Sequence, residues 1–437
     1  MRYFRNSVRP DSTRFKVAAL LWFVIPLQVA AVFATDSKLP ELVVNDPDGS
    51  LGRTGAPFCY EIALNEKLLR AAADGRLYLR EKRDGRVAGS PIPIQVEPSD
   101  GIAVKRQLWW LMPPGASGKR TFVLLEDRTP AEPVLKARKD RTSGQLDISD
   151  GGQPVLRYNY QTIEPKEEFL NKVKPDDRKY ARARGDYIHP LYGPDGQELT
   201  KDWSVDHPHH RGIYWAWPEV DYGEERGDLH ALQRVFARPT GHYALEDGSV
   251  YAQIEAENLW QWEDREPIVR ERAIIRVYRP TVQGRCIDLR FYFTALVDRV
   301  AIARRGTDKY GGLNIRLSQV TGQDIIFHIN PAEAKPQKSW ADFIGVFAGT
   351  REPAAIAVLQ KRTNPDYPGE WIKYPELSWF QPTFPTTGTR FVLKKNEPLL
   401  LEFRLWIRRG GKAAEEMYAD QWRAFNGSAV GRLAKTR

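Results

Sequence analysis

Residues 399–409, LLLEFRLWIRR, alternate between apolar and polar side chains with a period of two. In an extended chain successive side chains point to opposite faces, so alternate residues line one face. The apolar face consists of Leu399, Leu401, Phe403, Leu405 and Ile407, and the other carries Leu400, Glu402, Arg404, Trp406 and Arg408. This pattern predicts a β-strand with one face in a hydrophobic core.

The same alternation recurs along the chain. It is found in QIEAENLWQW (253–262), RCIDLRFYFTAL (285–296) and GGLNIRLSQV (311–320), and the segments are separated by Gly, Pro, Asn and Asp. Short alternating segments bounded by such residues are typical of all-β proteins. A convincing helical segment is KAAEEMYADQWRAF (412–425), near the C-terminus. We therefore predict an all-β fold.

Two domains are predicted. Residues 40–145 form an N-terminal β-sandwich that ends in the proline-rich, charged connector RTPAEPVLKARKDRTSGQ (128–145). Residues 146–428 are too many for a seven-stranded sandwich. We expect them to form a large antiparallel, two-sheet domain of the supersandwich type. A charged run at 164–186 is expected to be a solvated loop and is a candidate flap over a neighbouring site.

Residues 1–34 read as an export signal. A basic leader precedes the apolar stretch 17–34, and small residues precede a cut ahead of Thr35. The basic residues are Arg2, Arg5, Arg9, Arg14 and Lys16. The expected location is periplasmic or secreted, with no membrane span after signal removal. An uncleaved N-terminal anchor is the alternative, because the apolar run is just long enough to span a bilayer.

Composition excludes several classes of protein. The net charge is +9, of which the leader carries +4, and the remaining basic residues are not clustered, so nucleic acid is not an expected partner. Only Cys59 and Cys286 are present; they form either one bridge or two separate buried thiols. The sequence has no dinucleotide fingerprint, phosphate-binding loop or serine nucleophile elbow, so no cofactor is predicted, apart from a possible metal ion.

The candidate site is centred on SVDHPHHRGIYWAW (204–217). Five of the seven histidines fall in the 42 residues from His189 to His230. If the motif is extended, His207 and His209 share a face with Arg211 and Trp215, and His210 points the other way. Four interpretations remain open. The motif is a purely structural cluster whose histidines are satisfied by the backbone and Asp206, a metal site with His207 and His209 as ligands, a sugar-type catalytic pocket, or a site that binds without chemistry.

Other residues are candidates for the same site. Trp215 and Trp217 lie in the motif and offer flat faces to a sugar. Glu271 alternates in phase with apolar neighbours, so we expect it to be buried with a raised pKa. Asn314 and Arg316 follow two glycines and are candidate ligand-orienting residues. His189 and Tyr192, which precede the motif, complete the candidate substrate-binding set.

The runs YIHPLYGPDGQELTKDWSVDHPHHRGIYWAW (187–217), RERAIIRVYR (270–279) and KYGGLNIRL (309–317) resemble a bacterial family filed as methane oxygenase PmoA. The resemblance spans about residues 185–425. It implies the supersandwich architecture shared by aldose mutarotases and several polysaccharide lyases, and a link to polysaccharide degradation. The family's motif positions are Asp206, His207, His209, His210, Arg211, Glu271, Gly311, Gly312 and Arg316. Methane oxidation itself is not expected, because residues after 34 contain no spanning segment.

The leading hypothesis is an exported enzyme that acts on a sugar or uronate by acid–base chemistry, such as epimerisation or β-elimination. In it, His207 or His209 removes a proton, and the other histidine or Glu271 returns one; His210 and Asp206 complete the catalytic set. Arg211 and Arg316 neutralise an oxyanion or bind a uronate carboxylate. A non-catalytic glycan-binding protein is the alternative, and a histidine-ligated metalloenzyme is the third hypothesis.

Overall fold

The computed structural model describes residues 40–98, 105–327, 339–427 and 432–433. The predicted export signal at 1–34 lies outside these ranges. None of the helices within them has the length and apolarity needed to cross a membrane.

The N-terminal unit consists of two small antiparallel sheets around one core. Its strands are β1 (Glu41–Asp46), β2 (Pro57–Ala63), β3 (Leu77–Arg83), β4 (Arg86–Pro93), β5 (Gln95–Pro98), β6 (Lys105–Leu111) and β7 (Gly118–Glu126), and its helices are α1 (Ser50–Thr54) and α2 (Glu66–Ala73). One sheet has the order β1-β7-β3-β4 and the other β2-β6-β5. Phe58, Trp110 and Phe122 are among the side chains that fill the core between them. This is the predicted β-sandwich.

The remaining elements form the larger domain. Its strands are β8 (Leu135–Lys139), β9 (Leu146–Asp150), β10 (Gln153–Asn159), β11 (Tyr187–Leu191), β12 (Ile213–Ala216), β13 (Glu219–Tyr222), β14 (Glu225–Gly227), β15 (Val235–Glu246), β16 (Tyr251–Trp262), β17 (Glu266–Tyr278), β18 (Arg285–Ala295), β19 (Val300–Ala303), β20 (Gly312–Arg316), β21 (Thr321–Phe327), β22 (Trp340–Val346), β23 (Ala354–Gln360), β24 (Trp371–Tyr374), β25 (Trp379–Pro382), β26 (Phe391–Leu393) and β27 (Leu399–Arg409). The helices are α3 (Glu167–Leu170) and α4 (Glu415–Asn426), with 3-10 turns at Pro175–Tyr180, Arg305–Thr307 and Pro375–Leu377.

Two eight-stranded antiparallel sheets dominate this domain. We call the sheet β24-β25-β20-β12-β11-β10-β9-β8 the site sheet and the sheet β15-β16-β17-β18-β27-β23-β22-β21 the back sheet. Their facing sides enclose one large hydrophobic core. A four-stranded sheet, β14-β13-β19-β26, lies beside them. The all-β, two-sheet prediction is confirmed.

Strand β27 shows why the alternation was informative. Its predicted apolar face lies in the core between the two large sheets. On the opposite face, Glu402 pairs with Arg290 and Arg404 pairs with Asp288, both from β18. The polar residues of this strand are thus satisfied by cross-strand partners.

The predicted domain boundary at 145 is too late. Strand β8 pairs with β9 at the edge of the site sheet, and Leu135 belongs to the core of the larger domain. The connector therefore contains a strand, and the larger domain begins before Leu135.

The N-terminal unit is held against the C-terminal helix. Arg53 of α1 donates two hydrogen bonds to Asp420 of α4, at 2.6 and 2.8 Å. The last described strand, β28 (Arg432–Leu433), pairs with β1. Cys59 and Cys286 are separate free thiols, so the bridge considered from sequence is not formed.

Candidate histidine-lined site

A cavity of about 690 Å³ lies on the outer face of the site sheet. Four histidines line it: His207, His209, His210 and His230. The aromatic lining comes from Tyr180, Tyr310, Tyr374 and Trp379, and the charged lining from Asp177, Asp206, Asp228, Arg305 and Glu376. Asp177 and Tyr180 belong to the charged run 164–186, so the candidate flap does border the site. The volume is in the range of small-molecule sites.

The histidine motif is a turn rather than an extended strand. The backbone N–H of His210 donates to the carbonyl of His207 at 2.9 Å. Pro208 fixes φ near the value needed at the second position of such a turn, and its ring removes an N–H that a strand would need. The prediction that His210 points away from its neighbours was therefore wrong. Its ring centre lies 4.7 Å from those of both His207 and His209.

A fourth histidine joins the cluster from another loop. The ring centre of His230 lies 4.5 Å from that of His209 and 5.2 Å from that of His210. These three residues each offer a ligand nitrogen, and the nitrogens lie within 4.8 Å of one another. The metal hypothesis of the sequence named His207 and His209; the geometry favours His209, His210 and His230 instead.

His230 is held by strand β12 below it. Its Nδ1 atom forms a 3.0 Å hydrogen bond with the Tyr214 hydroxyl, and the two rings are nearly parallel. Tyr214 alternates with the core residue Trp215, so its ring faces out of the sandwich toward the cavity. With Nδ1 engaged in this way, Nε2 is the nitrogen left to bind a ligand.

One buried arginine connects the two histidine loops. Arg184 donates to the carbonyl oxygens of His209 at 3.2 Å, His230 at 2.9 Å and Leu229 at 2.6 Å. Its guanidinium also lies 4.3 Å from the ring centre of Tyr214. Arg184 therefore fixes the separation of the two loops.

Arg211 supports the turn and is not placed to touch a ligand. It is 1% exposed, and its guanidinium donates to the carbonyl oxygens of Pro208 and His210. The guanidinium also stacks 3.4 Å from the ring centre of Trp203 and lies 3.2 Å from Asp202. The predicted role in oxyanion or uronate binding is replaced by a structural one.

The three clustered histidines are neutral. Burial, together with the nearby His207 and Arg184, lowers the pKa of His209 to about 3. Burial and neighbouring histidines hold the pKa of His210 and of His230 well below the usual value. The Nδ1 atoms of His209 and His210 are buried and have no hydrogen-bond partner within the described ranges. Neutral imidazoles suit metal coordination, because a ligand nitrogen must be unprotonated.

His207 differs from the other three histidines. Its Nδ1–H donates to the Asp206 carboxylate at 3.0 Å, and its side chain is 37% exposed. The same carboxylate lies 3.6 Å from the guanidinium of Arg316, which also donates to the Ser204 hydroxyl. Asp206, His207 and Arg316, each a candidate from the sequence, thus lie together in the structure.

Trp215 and Trp217 lie in the core and not in the cavity. Their rings stack 4.7 Å apart, and both make edge-to-face contacts with Phe293 of the back sheet. They are 2% and 0% exposed. β12 is a central strand covered on both faces, so alternation could not tell its core face from its site face. The predicted role in sugar stacking was wrong.

Glu271 is buried as predicted but lies elsewhere. It accepts a hydrogen bond from the Trp260 indole at 2.7 Å and is in hydrogen-bonding contact with Asp186. Burial first, and then Asp186, raise its pKa well above the usual value. Glu271 faces the core between the sheets, whereas the histidines lie on the outer side of one sheet. It is not placed to exchange protons with them.

The remaining candidates lie outside the lining of the histidine cavity. Asn314 is fully buried in β20, directly across from Tyr214. His189 forms a 3.0 Å hydrogen bond between its Nδ1 atom and the Thr200 hydroxyl. Tyr192 lines a different cavity, near Asp195 and Arg409. These three are not among the cavity-lining residues.

Several site residues escaped the sequence prediction. His230 was counted among the clustered histidines but had no assigned role, and the clustering was the signal that pointed to it. Arg184 sits in a run of charges with no distinguishing pattern. Tyr310 and Trp379 are far from the motif in sequence, so no local pattern indicates them.

The structure is thus that of an antiparallel two-sheet protein with a histidine-lined cavity. The chain belongs to a family of unknown function, DUF6807, whose model matches residues 145–423. The match contains every histidine of the cavity. No curated protein matches the chain.

Proposed function

We propose that this protein is a metal-dependent enzyme in which His209, His210 and His230 bind one divalent transition-metal ion such as Zn²⁺. The observation that carries the proposal is the convergence of three neutral imidazoles from two loops at one cavity, those of His210 and His230 buried and that of His209 half-buried. Three protein ligands with an open position toward a cavity are typical of catalytic zinc sites.

The distances between the ligand nitrogens are longer than those around a bound zinc ion. Nitrogens on one tetrahedral zinc ion lie about 3.4 Å apart, because each Zn–N bond is about 2.1 Å. The ligand nitrogens here lie within 4.8 Å of one another. Binding therefore requires them to approach by up to about 1.4 Å. The hydrogen bond between His230 and Tyr214 supports this role, since metal-bound histidines usually engage their second nitrogen.

The acid–base group in this proposal is His207. Its Nδ1–H is held by Asp206, which leaves Nε2 free to accept a proton. A bound metal ion would supply Lewis-acid polarisation of a substrate carbonyl. His207 Nε2 would remove a proton from the adjacent carbon, and the electron pair of the C–H bond would move onto the carbonyl oxygen. Return of a proton to the opposite face gives epimerisation; loss of a β-substituent with the electron pair gives elimination.

A sugar or uronate is the proposed substrate class. Tyr180, Tyr310 and Tyr374 are partly exposed in the cavity wall and can pack against the C–H face of a sugar ring. The cavity lining also includes carboxylates, which can accept hydrogen bonds from sugar hydroxyls: Asp177, Asp206, Asp228 and Glu376. Export to the periplasm or cell exterior remains a prediction of the N-terminal sequence.

The test uses purified protein depleted of metal with a chelator and then reconstituted. Oligosaccharides, uronates and keto-sugars are screened for product and for bound ligand. We expect turnover only with metal, a 10²–10⁴-fold lower kcat in His207→Asn with unchanged metal content, and loss of both in His230→Ala. The exposed His242 provides the control variant His242→Asn. Full activity without metal, or in His207→Asn, would contradict the proposal; saturable binding without turnover would indicate a glycan-binding protein.

A further inference from the structure

A second cavity, of about 260 Å³, lies between the N-terminal unit and the outer face of the back sheet. The N-terminal side contributes Phe58, Cys59 and Trp109. The opposite wall is formed by charged residues of β17, β18 and β27 together with Lys361. This cavity is independent of the histidine site.

The charged wall is organised in cross-strand rows. Arg276, Asp288 and Arg404 are direct neighbours across β17, β18 and β27. Arg404 binds Asp288 through two hydrogen bonds, at 2.6 and 2.8 Å. In the next row, Arg290 donates to Glu402 at 2.9 Å. These carboxylates neutralise Arg404 and Arg290.

Arg276 is neutralised from the N-terminal side. Its guanidinium donates to Glu97 of β5 at 2.6 Å and to the side chain of Gln253 at 2.8 Å. The guanidinium also lies 4.6 Å from the ring centre of Trp109. The three arginines of the wall thus each have a carboxylate partner.

Lys361 remains as an excess positive charge. Its ammonium donates to the carbonyl oxygen of Phe425 at 2.5 Å and has no carboxylate partner in the described part of the chain. Burial lowers the pKa of Lys361; attraction to Glu402 and Asp288 opposes this shift, and repulsion from Arg404 and Arg290 adds to it. Lys361 is half-buried, and the nearby Glu402 and Asp288 already pair with Arg290 and Arg404. The group of cations therefore carries one more positive charge than these partners neutralise, and a bound anion would stabilise it.

A donor of Arg404 is also unused. Arg404 is 3% exposed, and its Nη1 atom is buried without a hydrogen-bond partner among the residues that the structure describes. Lys361 Nζ and Arg404 Cζ lie 4.5 and 4.6 Å from the ring centre of Phe425, so the two cations flank the same ring. An unsatisfied guanidinium N–H and an ammonium without a carboxylate of its own, both packed on one aromatic ring, are donors of the kind that an oxyanion needs.

We propose that this cavity binds a small tetrahedral oxyanion, of the phosphate or sulfate type, between Lys361 and Arg404. The anion supplies the missing counter-charge and accepts the free N–H of Arg404. Because the walls come from both the N-terminal unit and the larger domain, binding also ties the two together. Anion binding should therefore raise the stability of the whole chain.

The experiment measures thermal unfolding and isothermal titration of the full chain with inorganic phosphate and with sulfate, against chloride at equal ionic strength. We expect a saturable rise in Tm with phosphate or sulfate and not with chloride. In Lys361→Met, which keeps the apolar stem, the anion Kd should rise at least tenfold. The matched control is Lys373→Met, because Lys373 also donates to a carbonyl and lies near a phenylalanine ring but is outside the cavity.

Two results would overturn the inference: no saturable response of the wild-type chain to either oxyanion, or the same Kd in Lys361→Met as in wild type. If Lys361→Met does not fold, crystals of the wild-type chain soaked in tungstate replace the comparison. Tungsten density between Lys361 and Arg404 supports the site, and its absence there refutes it. Neither result depends on the metal or activity of the histidine cavity.

Discussion

Replacing Arg184 with methionine should both destabilise the fold and weaken metal binding. The change removes three hydrogen bonds to the carbonyls of His209, His230 and Leu229. Leaving a buried acceptor unpaired costs about 1–3 kcal/mol, so the three together cost roughly 3–9 kcal/mol. Burial lowers the pKa of Arg184 to about 10, from 12.5, which corresponds to about 3 kcal/mol of desolvation that methionine does not suffer. Subtracting this desolvation term from the cost of the lost hydrogen bonds leaves a loss of roughly 0–6 kcal/mol in the unfolding free energy. We expect a value near the middle, roughly 3 kcal/mol.

The loss of zinc affinity is the effect that distinguishes Arg184 from a control arginine. Partners that orient metal ligands typically contribute 10- to 100-fold to affinity. We therefore expect Arg184→Met to weaken zinc binding by that factor, measured by competition with a chromophoric chelator, while urea denaturation reports the stability. Arg120→Met is the matched control, because Arg120 is also buried and donates to the Pro113 carbonyl and to Glu81, in the N-terminal unit. It should lose stability and keep its zinc affinity. Unchanged zinc affinity in a folded Arg184→Met variant would refute the assigned role.

Two further substitutions test the interior. Trp215→Ala should lower the unfolding free energy by about 3–5 kcal/mol in urea denaturation, because it empties a core position; a loss below about 1 kcal/mol would contradict the core assignment. Glu271→Gln should be more stable than wild type at pH 8.5, and the difference should shrink toward pH 5. Glu271 has a raised pKa in the folded state. Its contribution to wild-type stability is therefore complete below the unfolded pKa of about 4.3 and is lost as pH rises through the folded pKa. Glutamine does not titrate, so the variant keeps its stability over this range. A stability difference that does not change with pH would show that Glu271 is ionised in the fold.

The fold could be predicted because alternation reports directly which strand face is buried. In β27 every residue of the apolar face lies in the core. The same rule failed at β12, because all four residues of this strand are buried. Tyr214 faces the site and Trp215 faces the core, but both are aromatic. Apolar and aromatic residues on both faces carry no alternation to interpret.

The position of the site was predictable, but its geometry was not. Clustering of histidines located the cavity, whereas their directions depend on the turn at Pro208, which brings His210 beside His209. The third neutral histidine, His230, is placed by Arg184 and Tyr214, and these contacts join residues distant in sequence. Similarly, the apolar phase of Glu271 indicated burial but could not show that it faces the opposite side of the site sheet from the histidines.

The central claim is most directly tested by measuring the zinc content and zinc affinity of the purified chain. We expect one zinc ion per chain after reconstitution, loss of that ion in His210→Ala and in His230→Ala, and full retention in His242→Ala. Binding of no stoichiometric transition metal by the folded wild-type chain, or equal zinc binding by His230→Ala, would contradict the proposed metal centre.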